Sequence, residues 1–205
     1  MEFNLMNIDM LKEVANIGTG NATTSLSKLI NQRIAMDVPT VNMPAFDHLA
    51  DHIGGAEALI AGLLVSVSGD IDGLMLYLMT EQAACNLANT LMGSEKDSFV
   101  DFNELETSML TEIGNILTSS YLTALSQLMN YKITQSVPSL ALDMANAILS
   151  LPATEFSYVA DKVLFIESRF GLFEEKNNKH ENSSVFTASS DEDIAGFFML
   201  IPAAN

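Results

Sequence analysis

The 205-residue sequence predicts an α/β domain built from two similar halves. Three observations point there. Helix-period stretches alternate with short β-rich runs. The segment from Glu13 to Val41 recurs 99 positions later as Glu112 to Leu140, with 12 of 29 positions identical. Hydrophobic residues make up 48% of the chain and charged residues 17%. That balance supports a substantial core and excludes a disordered chain.

The elements follow in order. A helix is predicted from Asp9 to Asn31, because Leu11, Val14, Ala15, Ala22, Leu26, Leu29 and Ile30 recur near the helical period. Arg33 to Val41 reads as one strand at a proline-marked edge. Ala45 to His52 reads as a short helix stopping at Gly54-Gly55. Leu59–Val67 and Gly73–Met79 form a hairpin around Gly69-Asp70. A helix from Glu81 to Leu91 ends at Gly93. The halves are residues 1–93 and 103–205, joined by a polar linker over 94–102. The second half repeats the plan, with a helix over Asn103–Asn130 and strands near Lys132–Val137, Lys162–Ser168 and Gly196–Ile201. Its polar stretch Glu174–Ser184 is placed in a long loop, and no counterpart of the Glu81–Leu91 helix follows Ile201.

Charge narrows the partners. Nine Lys and Arg stand against 26 Asp and Glu, a net charge of −17. Such a chain cannot neutralise a phosphate backbone or adhere to an anionic bilayer, so neither nucleic acid nor membrane is expected. Cys85 is the single cysteine, so no disulfide can form within the chain. No secretory signal opens the sequence and no apolar run is long enough to span a bilayer. The expectation is a soluble, cytoplasmic protein.

One polar pattern occurs twice. Asp9, Glu13 and Asn16 fall within a narrow arc of the first helix, away from its apolar face. Ser108, Glu112 and Asn115 repeat that spacing on the later helix. Each asparagine lies 23 positions before a proline, Pro39 or Pro138. A solvated helix face is the plainer explanation of one copy. Two copies in one register argue against it, because asparagine is a poor helix-interior residue that a merely solvated face would replace by Lys, Gln or Glu. A carboxamide does not titrate, but it can hold a water by donating and accepting hydrogen bonds. No nucleophile–base pair or metal-ligand cluster lies beside it. The pattern suits positioning catalysis on a substrate that brings its own metal and activated bond, as in phosphoryl hydrolysis.

At these residues the sequence resembles the CheC/CheX/FliY phosphatases of bacterial chemotaxis. The pattern Asp9-x3-Glu13-x2-Asn16-x22-Pro39, with Ser108-x3-Glu112-x2-Asn115-x22-Pro138, is similar to that family's double signature. The stretches EVANIGTGNA, EIGNILTSSYLTALS and VPSLALDMANAI agree with it. The resemblance implies a pseudo-two-fold α/β fold with a continuous central sheet and the two motif helices on one face. It implies phosphorylated CheY as substrate, a response regulator carrying an aspartyl phosphate and its own Mg²⁺, with no cofactor or metal belonging to this chain. It assigns Asn16 and Asn115 to orienting the water, Glu13 and Glu112 to pairing with the regulator's lysine, and Asp9 and Ser108 to docking. Pro39 and Pro138 would be structural. The resemblance also implies CheD, a receptor deamidase, as a partner at Leu140–Ile148, with Asp143 its charged member. The plainer alternative there is a short amphipathic helix with Asp143 merely solvated. The rival to an enzyme is an interaction protein, a CheD regulator or flagellar-switch component, whose motif helices only bind.

Two further patterns carry less. His48 and His52 lie at i, i+4 beside Asp47 and Asp51, without a third strong ligand. Gly18 and Gly20 lie inside a helix and read as packing positions for the other motif helix, not as a phosphate loop.

Overall fold

In the computed structural model, residues 8–31, 33–45, 48–156, 164–172 and 194–200 are described. The predicted loop over Glu174–Ser184 lies outside them. In chain order the first half holds α1 (Ile8–Ile30), β1 (Ile34–Met36), β2 (Thr40–Asn42), α2 (Leu49–His52), β3 (Leu59–Gly69), β4 (Gly73–Thr80) and α3 (Glu81–Met92). A single 3₁₀ turn, Phe99–Asp101, leads into α4 (Glu104–Met129), β5 (Ile133–Gln135), β6 (Ser139–Met144), α5 (Ala145–Phe156), β7 (Leu164–Leu172) and β8 (Ile194–Leu200).

The strands form one eight-stranded sheet in the order β1-β7-β8-β4-β3-β5, with β2 also on β7 and β6 also on β3. Every pairing is antiparallel. The order has a consequence for the halves. The leading strands of the first half, β1 and β2, pair with β7 of the second. The leading strands of the second, β5 and β6, pair with β3 of the first. The halves meet at β4 and β8 in the middle.

Strand alternation sorts the core into two layers. Ala61, Leu63, Val67, Met75, Tyr77 and Met79 point to one face, where they pack with Leu11, Val14 and Ala22 of α1 and Leu110, Ile113 and Leu117 of α4. Ile60, Leu74, Leu76, Leu78 and Phe165 point to the other, under Leu49 of α2 and Ile148 and Leu149 of α5. With both faces covered, β4 is buried from Leu74 to Met79, which explains its unbroken apolar run.

Caps define the helix ends. Asn103 accepts from the backbone N–H of Leu105 and Glu106, and the Glu106 carboxylate accepts from the N–H of Asn103. These bonds close a capping box at the start of α4. The ends of α1 and α4 turn out through Asn31 (φ 52°) and Asn130 (φ 53°), two left-handed asparagines 99 residues apart. The serines repeated beside them brace the exits: Ser27 accepts from the N–H of Ile34, and Ser126 donates to the carbonyl of Tyr131.

The structure refines the sequence reading at four places. The strand predicted over Arg33–Val41 is two strands, because Pro39 has no N–H for the ladder. Residues 37–39 face only two residues of β7, and residues 136–138 face only two of β3. Each proline thus sits in an interruption of bulge type. Leu140–Ile148 is no short helix: it is β6 up to Met144, and α5 begins at Ala145. The linker is pinned down. Glu81 accepts from the Ser98 hydroxyl and the Phe99 N–H, and the Phe99 side chain is buried. Leu29, assigned to the apolar face, is exposed in the last turn of α1, as is its counterpart Leu128 in α4. In those last turns the inward positions are instead Ile30 and Met129, which pack partly buried against the core.

Candidate functional site

The two motif helices pack directly against each other on the same face of the sheet. Their contact is close because α1 carries Gly18 where α4 presents Tyr121. A Cβ at Gly18 would lie 2.7 Å from the Tyr121 ring. The Tyr121 hydroxyl and the Thr19 hydroxyl form a 2.6 Å hydrogen bond beside it, buried between the helices. Gly20 meets nothing within 4 Å, so only the first of the two glycines is a packing position. Gly114 lets α4 approach β3, where a Cβ would collide with Leu63.

This packing turns the polar stripes outward. Asp9, Glu13 and Asn16 are all exposed on α1. Ser108 and Glu112 are exposed on α4, and Asn115 is half-buried. Neither carboxamide lies beneath the sheet. Asn115 borders an open polar groove of about 540 Å³ between the two helices, lined by Asn21, Thr24 and Ser25 from α1 and by Ser119 and Thr123 from α4. Asn16 does not line it. Apart from Ile116, the lining side chains are uncharged hydroxyls and amides, suited to hydrogen bonding and without an acid or base of their own.

The two asparagines are held differently. Gln135 at the end of β5 donates from Nε2 to Oδ1 of Asn115 at 3.0 Å and to Oγ of Ser119 at 2.8 Å. The residues 99 positions earlier are Met36 and Gly20, which offer neither the amide nor the hydroxyl. Sequence reasoning missed Gln135. The one available signal was that difference between the two copies of the repeat.

The remaining predicted residues take these places. Pro39 is buried and Pro138 half-buried in the interruptions after β1 and β5. The valines before them, Val38 and Val137, are 82% and 85% exposed, an unusual state for so apolar a residue found twice at the same register. Asp143 is exposed on β6, where its carboxylate accepts from the N–H of Met144. It is remote in sequence and element from the motif stripes. His48 pairs with Asp51 at 3.6 Å, and the His52 ring packs on Phe165. Among the described residues, no group of three or more His, Cys, Asp or Glu is placed to hold a metal ion. Among them too, no helix is long and apolar enough to cross a membrane.

Known proteins share both the sequence pattern and the architecture. The sequence profile of the CheC-like family matches the chain twice, over residues 6–43 and over residues 105–142. Both motif stripes and both prolines lie within those segments. The chain is 31% identical over 199 residues to the CheY-P phosphatase CheC of Bacillus subtilis, covering 96% of this chain and 94% of that one. Its fold is similar to that of Thermotoga maritima FliY, with a TM-score of 0.66 at 22% identity, covering 95% of this chain and 89% of the other. It is also similar to a chain in the CheX-CheY-BeF3-Mg complex of Borrelia burgdorferi, with a TM-score of 0.52 at 17% identity, covering 91% and 96%.

Proposed function

The chain belongs to the CheC-like family, and from that premise we propose that it is a phosphatase acting on a phosphorylated CheY-type response regulator. The observation that carries the proposal is the pair of outward Glu-x2-Asn stripes on two packed helices, each inside a segment the family profile matches. Two relatives support the choice of substrate. The Bacillus subtilis protein is a CheY-P phosphatase, and the Borrelia burgdorferi chain comes from a complex of CheX with CheY.

The residues divide the work by their chemistry. The regulator supplies the aspartyl phosphate and its own Mg²⁺. Glu13 and Glu112, both exposed, pair with the regulator's active-site lysine and bring the helix against the acid pocket. Asp9 and Ser108, one turn earlier, extend that docking edge. Asn16 and Asn115 enter the pocket. Each amide donates and accepts hydrogen bonds at once, so it holds a water in line with the phosphorus without having to titrate. The acyl phosphate is already activated, and alignment is what its hydrolysis most needs. Pro39 and Pro138 shape the turns beside the two helices.

The test is release of radiolabelled phosphate from the regulator. Asn16→Ala with Asn115→Ala should return the rate to that of the regulator alone, a loss of tenfold or more; the change at exposed Asn16 costs under about 0.5 kcal/mol, the change at half-buried Asn115 also removes the hydrogen bond from Gln135, about 1 kcal/mol, and circular dichroism checks that the fold is kept. Unchanged hydrolysis would refute the assignment. Binding of the phosphorylated regulator without any acceleration by the native chain would instead favour a protein that only docks.

A second reading concerns CheD. Asp143 stands exposed on β6, which pairs with β3 at one edge of the sheet. An exposed charge on an edge strand is accessible to a partner and suits a docking spot. Asp143→Lys should weaken capture of purified CheD at least tenfold while leaving phosphatase activity unchanged. Equal capture by both proteins rules this spot out.

A further inference from the structure

Resting on the reading of Asn115 as a water-holding amide, we propose that Gln135 is a positioning residue that sets the direction of that amide before the regulator arrives. A primary amide has two N–H hydrogens. Both hydrogens of Gln135 Nε2 are committed, one to Asn115 Oδ1 at 3.0 Å and one to Ser119 Oγ at 2.8 Å. Ser119 lies one turn beyond Asn115 on the same face of α4, so the three side chains form a brace from β5 across the helix surface.

The brace settles an ambiguity that a solvated asparagine leaves open. Its terminal torsion is broad and roughly two-fold, so the carbonyl and the NH₂ exchange places easily. With Nε2 of Gln135 turned toward it, Oδ1 is the Asn115 atom that faces β5. Nδ2 then faces away from Gln135, and Oδ1 keeps a second lone pair for water. The rotational freedom otherwise lost on docking is lost in advance. Asn16 has no such arrangement, since Met36 carries no side-chain N–H and Gly20 no hydroxyl at the corresponding positions. The half-burial of Asn115 against the exposure of Asn16 accords with this difference.

The experiment isolates the second site with Asn16→Ala. In that background, kcat and KM for phosphate release from the radiolabelled regulator are compared for Gln135, Gln135→Met and Gln135→Glu. Gln135→Met installs the first half's residue, and kcat should fall roughly three- to tenfold with KM little changed. Gln135→Glu keeps the shape but has no N–H, so Asn115 must turn Nδ2 toward it, and kcat should fall at least as far. Ser119→Ala should lower kcat less, because the bond to Asn115 survives. In NMR spectra, the side-chain amide resonances of Asn115 should shift in both Gln135 variants.

Equal kcat in all the Gln135 variants, with hydrolysis still lost on adding Asn115→Ala, overturns the role of Gln135 while leaving the phosphatase reading intact. A change confined to KM makes Gln135 a docking contact and equally overturns the proposal. If Asn16→Ala alone removes all hydrolysis, Asn115 holds no productive water, and the proposal falls with that half of the wider reading.

Discussion

Cys85 is fully buried on α3. Burial, and after it the negative charges of Glu81, Asp97 and Glu106, push its thiol up to about 11 from the ordinary 9.0. The folded chain therefore holds this proton more tightly than the unfolded chain does. The resulting stabilisation is complete below about pH 9 and is lost as pH rises through about 11. The midpoint of urea unfolding should fall between pH 9 and pH 11, and Cys85→Ala should flatten that decline. Because the thiolate is the reactive form, a thiol reagent at pH 8 should modify the folded protein far more slowly than the protein in urea. Fast native-state labelling would show that the site opens to solvent. Burial also acts on Tyr77, whose phenol is raised above its usual range, with Tyr121 adding to the effect. Both groups belong to the packing of the fold, and neither lies on the outward stripes where the chemistry is proposed.

At the scale of elements, local signals were legible and remote ones were not. The ends of α4 could be read from Asn103 and Asn130, because a capping side chain and a left-handed residue act within one turn. Gly93 closes α3 for the same reason, at φ 64°. The outward stripe was legible because helix geometry alone turns Glu13 and Asn16, or Glu112 and Asn115, to one side. The splitting of the first edge strand was not, because β1 and β2 acquire their ladder bonds from β7, more than 120 residues away. β6 was missed on the same ground. Its Leu140 and Leu142 alternate with exposed neighbours, but the apolar stretch runs on into α5, and only pairing with β3 decides where strand becomes helix. Gln135 escaped notice for another reason. A hydrogen bond between residues 20 apart on different elements leaves no periodic trace. Side chains that position a reactive group are set by tertiary approach, whereas the group itself is announced by spacing.

Across the whole molecule, the exchange of edge strands governs what can fold. Residues 1–93 contain α1, β1 to β4 and α3, a composition that resembles a small independent domain. In the 205-residue chain, however, β1 and β2 lie on β7, and β4 completes its ladder with β8. Cut away from the second half, this fragment would leave β4 with an unpaired edge, from Leu74 to Met79, that is apolar on both faces. It would also leave α1 without α4, exposing Leu11, Val14 and Ala22, and leave the Thr19 hydroxyl without Tyr121. Each Å² of apolar surface so exposed costs roughly 25 cal/mol, and a half of this size has little core of its own to offset it. The fragment 1–93 should therefore behave as an unfolded chain, as an aggregate, or as a self-paired dimer in which a second copy supplies the missing strands. Size-exclusion chromatography with circular dichroism distinguishes these from a folded monomer. A monomeric fragment that melts cooperatively would mean that β1 and β2 can find partners inside their own half, and that the exchange seen in the intact chain does not govern its stability.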